Sequence, residues 1–173
     1  MSVSQLLQYQ MILPLQKQIY DYWRSLCSEG FFPCRDDIDP TNMPEHLPML
    51  SLTQLCHKYD RPRFFCRLAG TGFWDLFEEE IQGRYIDELP LGDRKAYWNR
   101  ILTQVVTQQR ARVGVTRPGT PYGSHLAQFW IRLPISSTGK SVDMVLGFDQ
   151  LIRLSDARQK VGSVVKNHEL EAA

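Results

Sequence analysis

From Asp93 to Ile152 the chain runs through one long helical repeat and then three strand-like stretches with no helix between them. That order restricts the fold more than any other feature. In DRKAYWNRILTQVVTQQR, residues 93–110, Tyr97, Ile101 and Val105 recur at every fourth position beside Trp98 and Leu102, the spacing of one buried helix face. Asp93 can cap its start, and Arg110 suits the negative end of its dipole. The stretches ARVGVTR (111–117), HLAQFWIRLPI (125–135) and SVDMVLGFDQLI (141–152) follow, the last two joined by SSTG, which is hairpin chemistry. Parallel strands need a long crossover between them, so a run of this kind predicts antiparallel pairing.

Upstream, ILPLQKQIYDYWRSLCSE at 12–29 places Ile12, Leu15, Ile19, Trp23 and Leu26 close to helical period, with Gly30 as a fitting stop. A proline-rich loop follows, with short helical turns expected around 40–47. MLSLTQLCH (49–57) and RFFCRLAG (63–70) read as strands, and the short link between them predicts a hairpin. GFWDLFEEE (72–80) sets Phe73, Trp74 and Phe77 on one side of a short helix, and IQGRYIDEL predicts a turn at Gly83 and one more helical turn. The polar tail from Ser155 is expected to be helical or disordered. Two groups of strands separated by a helical block indicate an α+β fold with helices packed on an antiparallel sheet. The expected division is an N-terminal helix (1–30) as a cap or dimerisation element, a sheet-and-helix domain (31–152) and a polar tail (153–173).

The 173 residues suit one domain with a sizeable core, and a formal net charge of +1 is no electrostatic footprint for nucleic acid. Arg94, Lys95, Arg100, Arg110 and Arg112 cluster in sequence, but read as an ordinary solvated helix face. No apolar run reaches the ~18 residues that span a bilayer. The N-terminus lacks the basic flank and cleavage site of a signal peptide, so the expected location is the cytoplasm, with no membrane partner. Cys27, Cys34, Cys56 and Cys66 share no CxxC spacing. A zinc site of Cys27, Cys34, His46 and Cys56 can be drawn, but its spacings match no ligand hook, so buried or incidental thiols are expected.

Gly70 and Gly72 end a strand-like run and open a helix-like one, as phosphate-binding turns do. The third glycine of a dinucleotide turn is missing, as is the Lys-Ser/Thr pair of a P-loop. The expectation is a sharp strand-to-helix turn that only glycine allows.

At this point the chain resembles a PAS domain, and more narrowly the small bacterial PAS-like proteins built around one such domain with an N-terminal helix and no effector domain. The resemblance rests on YDYWRSL (20–26), DIDPTNMPEHLPML (38–50 with Asp37 before it), FFCRLAGTGFWDLFEEEIQGRYIDEL (64–89) and LPISSTGKSVDMVLGF (133–148), and covers roughly residues 19–150. Arg67, Leu68, Gly70 and Thr71 match the family's Arg-Leu-x-Gly-Thr strand end. Gln82, Gly83 and Arg84 stand where a Thr-Gly-Arg-like step is common, so the threonine is replaced. The resemblance implies a curved five-stranded antiparallel sheet with short helices and one long helix over one face. It also implies a space between them that holds a small ligand or is filled by side chains, and signalling by contact with a partner protein or dimer mate.

Haem-binding relatives supply a histidine from the long helix, and 93–110 contains none; His46, His57, His125 and His168 fall elsewhere. Flavin-binding relatives carry a reactive cysteine on a helix, whereas Cys66 falls on the second strand, one element too early. Neither cofactor is expected, and which ligand, if any, binds is left open. The catalytic alternative is a cone-shaped α+β hydratase or isomerase with a pocket acid and base. Its polar candidates, His57, Asp75, Asp87, Glu88, His125 and Asp149, show no spacing that forces a shared site, so no catalytic residue is assigned. The main expectation is a cytoplasmic sensory or regulatory domain, dimeric and acting through protein contact, with a possible small apolar ligand. Phe73, Trp74, Phe77, Trp98, Phe129 and Met144 are the expected pocket lining. Ile19, Trp23, Leu126 and Trp130, with Leu146 beside them, are the expected interface for a twin or an unidentified signalling protein. Strand alternation sets Trp130 opposite Phe129 and Ile131, so an apolar face must be covered, in cis or across a dimer.

Overall fold

The computed structural model describes residues 13–58 and 61–160. A hairpin of β1 (Leu50–Lys58) and β2 (Arg61–Ala69) joins a three-strand meander of β3 (Arg112–Thr116), β4 (Leu126–Ser136) and β5 (Val142–Arg153). All pairings are antiparallel and the order across the five-stranded sheet is β2-β1-β5-β4-β3. The expected element order and the antiparallel α+β architecture are both present.

Two layers of helix cover the sheet, one on each face. On the outer face lies α1 (Pro14–Leu26), where Ile19, Tyr20 and Trp23 pack on Ile131, Leu133 and Ile135 of β4. Proline at its first position loses no intrahelical bond, and the Gln16 Oε1 accepts the Leu13 N–H at 3.3 Å. The helix is shorter than the periodicity of 12–29 predicts: Cys27 turns to extended backbone, and Ile12 lies outside the described residues. The helical turns at 35–37, 40–42 and 44–49 carry the chain beside α1 and into β1.

The inner face is covered by α2 (Trp74–Phe77) and α3 (Lys95–Gln108). Here the 72–80 helix contracts to a 3-10 turn at 71–73 and one α-helical turn, closed by Glu78 in the left-handed region at φ 52°. The cause is the return of the chain to β2. The Cys66 N–H donates to the Arg84 carbonyl at 2.9 Å, the Gly83 N–H to the Cys66 carbonyl at 2.8 Å, and Ile81 is buried. α3 starts from a 3-10 turn at 92–94, and Asp93 makes no capping hydrogen bond, so its expected role is not met.

Gly70 is required by close approach of two backbones. A Cβ there would lie 2.1 Å from the Leu47 carbonyl oxygen and 2.3 Å from that of Pro48, and its own N–H donates to the Leu50 carbonyl at 2.8 Å. The glycine turn ties the end of β2 to the segment entering β1.

Candidate functional site

Along β4, Gln128, Trp130 and Arg132 point to the inner face, while Ala127, Phe129, Ile131, Leu133 and Ile135 face outward. Trp130 pairs in register with Asp149, and Arg132 with Gly147. The glycine matters. A Cβ at 147 would lie 2.5 Å from the Ser51 Oγ and 3.2 Å from the Arg132 Nη1, so its absence lets the guanidinium lie across β5. Gly114 does the same for Trp130, whose indole lies 2.6 Å from where a Cβ would sit.

The Arg132 Nη2 donates to Asp149 Oδ1 at 3.0 Å and lies 2.9 Å from Oδ2, which is held by charge rather than by an aligned N–H. The Gln128 Nε2 donates to the same Oδ1 at 2.8 Å. The Arg132 Nη1 donates to the carbonyls of Ile131 at 2.9 Å and Phe148 at 3.3 Å. Its guanidinium carbon stands 4.6 Å from the Trp98 ring centre, and Trp98 meets Trp130 edge-on at 5.5 Å. Asp149 is 0% exposed and Arg132 7%, so a buried ion pair stands on the inner face of the two central strands.

Arg132 of this pair lines a cavity of about 50 Å³ between sheet and helices. Ser51 and Thr53 of β1, Gln128 and Arg132 of β4, and Thr120 from the loop after β3 form its polar wall. Phe73, Leu76, Phe77, Leu89, Trp98 and Leu102 form much of the apolar one. The Thr120 hydroxyl is buried and finds no hydrogen-bond partner among the described residues. Cys66 also lines the cavity. Burial first, and the Glu80 carboxylate second, push its pKa up to about 11, which keeps it a protonated, poorly nucleophilic thiol near neutral pH.

Of the expected lining, Phe73, Phe77 and Trp98 stand at this cavity. Trp74 does not: it is 56% exposed on the solvent side of a single-turn helix. Phe129 and Met144 lie on the outer face, Phe129 against Leu13 and Ala157, and Met144 in the cluster beneath α1. Both sit one residue out of phase with the inward positions. The expected interface residues are also placed differently. Trp130 is buried beneath α3, and Ile19 and Trp23 are buried against the chain's own sheet, the Trp23 indole N–H donating to the Pro134 carbonyl at 2.9 Å. Leu126 is half-buried and Leu146 buried. The β4 side of the outer face is thus covered in cis, whereas Leu68 of β2 stays 37% exposed.

The acid–base candidates are dispersed. His57, Asp75, Glu88 and His125 are exposed, and Asp87 is bound to Arg63, whose Nε donates to it at 2.9 Å. None of the six lines the cavity; Asp149 lies behind its wall, bound to the lining residues Arg132 and Gln128. His46 is buried on the outer face, its Nε2 2.8 Å from the Leu15 carbonyl oxygen and its ring edge-on to Phe148; His168 lies outside the described residues. Among the described residues no group of three or more His, Cys, Asp or Glu side chains is placed to hold a metal, and no helix is long and apolar enough to cross a membrane.

Residue-by-residue reading missed Arg132, Gln128, Ser51, Thr53 and Thr120. The available signal was a charged Arg132 between Ile131 and Leu133, in a strand whose neighbours on both faces are apolar.

The family model described as PAS domain matches residues 11–150. No curated protein matches the chain. Among solved structures, a light-oxygen-voltage domain studied with a flavin analogue superposes with a TM-score of 0.50 at 16% identity, covering 76% of this chain and 93% of that one. The light-state structure of the blue-light photoreceptor Aureochrome1 LOV gives 0.47 at 16%, covering 69% and 92%. The Rhodobacter sphaeroides LOV protein gives 0.47 at 16%, covering 79% and 68%.

Proposed function

The chain belongs to the PAS domain family, and from that premise we propose that it is a sensory regulatory domain in which a small guest in the cavity biases contact with another protein. The observation that carries this reading is a buried ion pair whose Arg132 lines the cavity while Asp149 backs it from behind the wall. A buried pair is often no more stabilising than well-packed apolar residues, so its place beside a void supports recognition rather than packing. A guest that binds one conformer better shifts the population able to meet the partner.

Because Ile19 and Trp23 are buried in cis, the partner contact is assigned to the uncovered strip of the outer face, where Leu68 stands 37% exposed in a groove shared with Arg35 and Arg67. A second copy of the chain is the first partner to test. Native mass spectra of freshly purified protein test both parts. The expected result is a dimer whose protomers retain added mass that denaturation removes. Bare protomers would overturn the ligand reading, and a monomer would remove the twin as partner.

A further inference from the structure

We propose that the guest is a small uncharged molecule with a hydrogen-bonding edge, an aliphatic amide or alcohol, and that Thr120 anchors that edge. The inference rests on the cavity being a ligand site and names what it selects.

Charge comes first. Among the described residues Arg132 is the one charged side chain on the cavity wall, and its positive charge is already matched by Asp149 at 2.9–3.0 Å. Its Nη1 is engaged with two main-chain carbonyls, and Trp98 covers its face. An anion entering here meets a neutralised cation backed by a fully buried carboxylate. A cation meets no free carboxylate and faces a guanidinium. Desolvating either ion goes uncompensated, whereas a neutral guest carries no such penalty.

Hydrogen bonding comes second. The buried Thr120 hydroxyl, without a partner among the described residues, can both donate and accept, and leaving such a group unpaired is unfavourable. Ser51 and Thr53 add two more hydroxyls to the polar wall. The opposite side, with Phe73, Leu76 and Phe77, suits a short hydrocarbon body. Size comes third. At about 50 Å³ the space is well below the ~150 Å³ of an engineered cavity that admits benzene. A guest of a few non-hydrogen atoms fits without moving the helices.

The test uses three probes of matched size and different charge: propionamide, propionate and propylammonium, titrated into the full chain and followed by backbone amide NMR shifts. Propionamide is expected to give saturable shifts at Thr53, Thr120 and Gln128, with an affinity at least about tenfold above both ions. Thr120→Val, which keeps shape and removes the hydroxyl, is expected to weaken propionamide about tenfold while leaving the rest of the spectrum in place. Propionate binding as tightly as propionamide would overturn the charge argument and leave the ligand site standing. Unchanged affinity in Thr120→Val would overturn the anchor. Absence of saturable cavity shifts with all three probes would overturn the ligand-site reading itself.

Discussion

Replacing Arg132 with methionine keeps much of the stem and removes the charge, leaving Asp149 with only the Gln128 amide at 2.8 Å. Asp149 is 0% exposed, so the parent fold gives its charge no contact with bulk water in place of the guanidinium. Breaking a buried pair on one side costs about 3–5 kcal/mol, against a total stability of roughly 5–15 kcal/mol for a domain. In a chain of this size each kcal/mol moves Tm by about 2–4 °C, so Arg132→Met should lower Tm by roughly 6–20 °C. The double variant Arg132→Met with Asp149→Leu removes both charges, and should return to within about 1.5 kcal/mol of the parent. Urea unfolding followed by far-UV circular dichroism is the suitable assay, because Trp98 lies against Arg132 and its fluorescence would respond to the substitution itself. A single variant within about 1 kcal/mol of the parent, or a double variant no better than the single, would refute the claim that this pair is buried and coupled.

Three further outcomes follow from the same contacts. Gly147→Ala places a Cβ 2.5 Å from the Ser51 Oγ and 3.2 Å from the Arg132 Nη1, and should destabilise by about 1–3 kcal/mol; a neutral result in urea would mean that Arg132 does not cross β5. Trp23→Phe removes the N–H bonded to the Pro134 carbonyl, with an expected loss of about 1 kcal/mol in urea, and an unchanged midpoint would deny that bond a stabilising role. Hydrogen bonds from Arg63 hold the carboxyls of Asp87 and Glu88 below their usual range. A depressed folded value stabilises above the unfolded pKa of about 4 and is lost as pH falls through the folded value. The urea-midpoint gap between parent and Arg63→Met should therefore shrink from pH 7 to pH 3, and an equal gap at both would contradict the ion pairing.

The element order was legible because it rests on local patterns: fourfold spacing in 93–110 and alternation in 125–135 survive into α3 and β4. Face assignment was not. Phe129, Trp130 and Ile131 are all large and apolar, so alternation separates them without telling which side faces α3. That choice is set by glycines on neighbouring strands, since Gly114 clears room for Trp130 and Gly147 for Arg132. Both are register partners across the sheet, and no single-strand pattern carries register. Asp149 was visible as a polar candidate, but its partner Arg132 lies across a hairpin and becomes a site residue only once β4 and β5 are aligned. Thr120 carried no signal at all, because its importance lies in a missing hydrogen bond.

Two side-chain hydrogen bonds from α1 to the strand beneath it go to main-chain oxygens: Gln16 donates to that of Trp130 at 3.2 Å, and Trp23 to that of Pro134 at 2.9 Å. A carbonyl is common to every amino acid, so these moorings are blind to what β4 displays on its opposite side. Descendants of this sequence can therefore exchange cavity-facing side chains while keeping these two bonds. What these two bonds register is where the strand lies, so under the proposed reading a guest would have to shift the β4 backbone, and not merely turn a side chain, to be felt on the far side of the sheet.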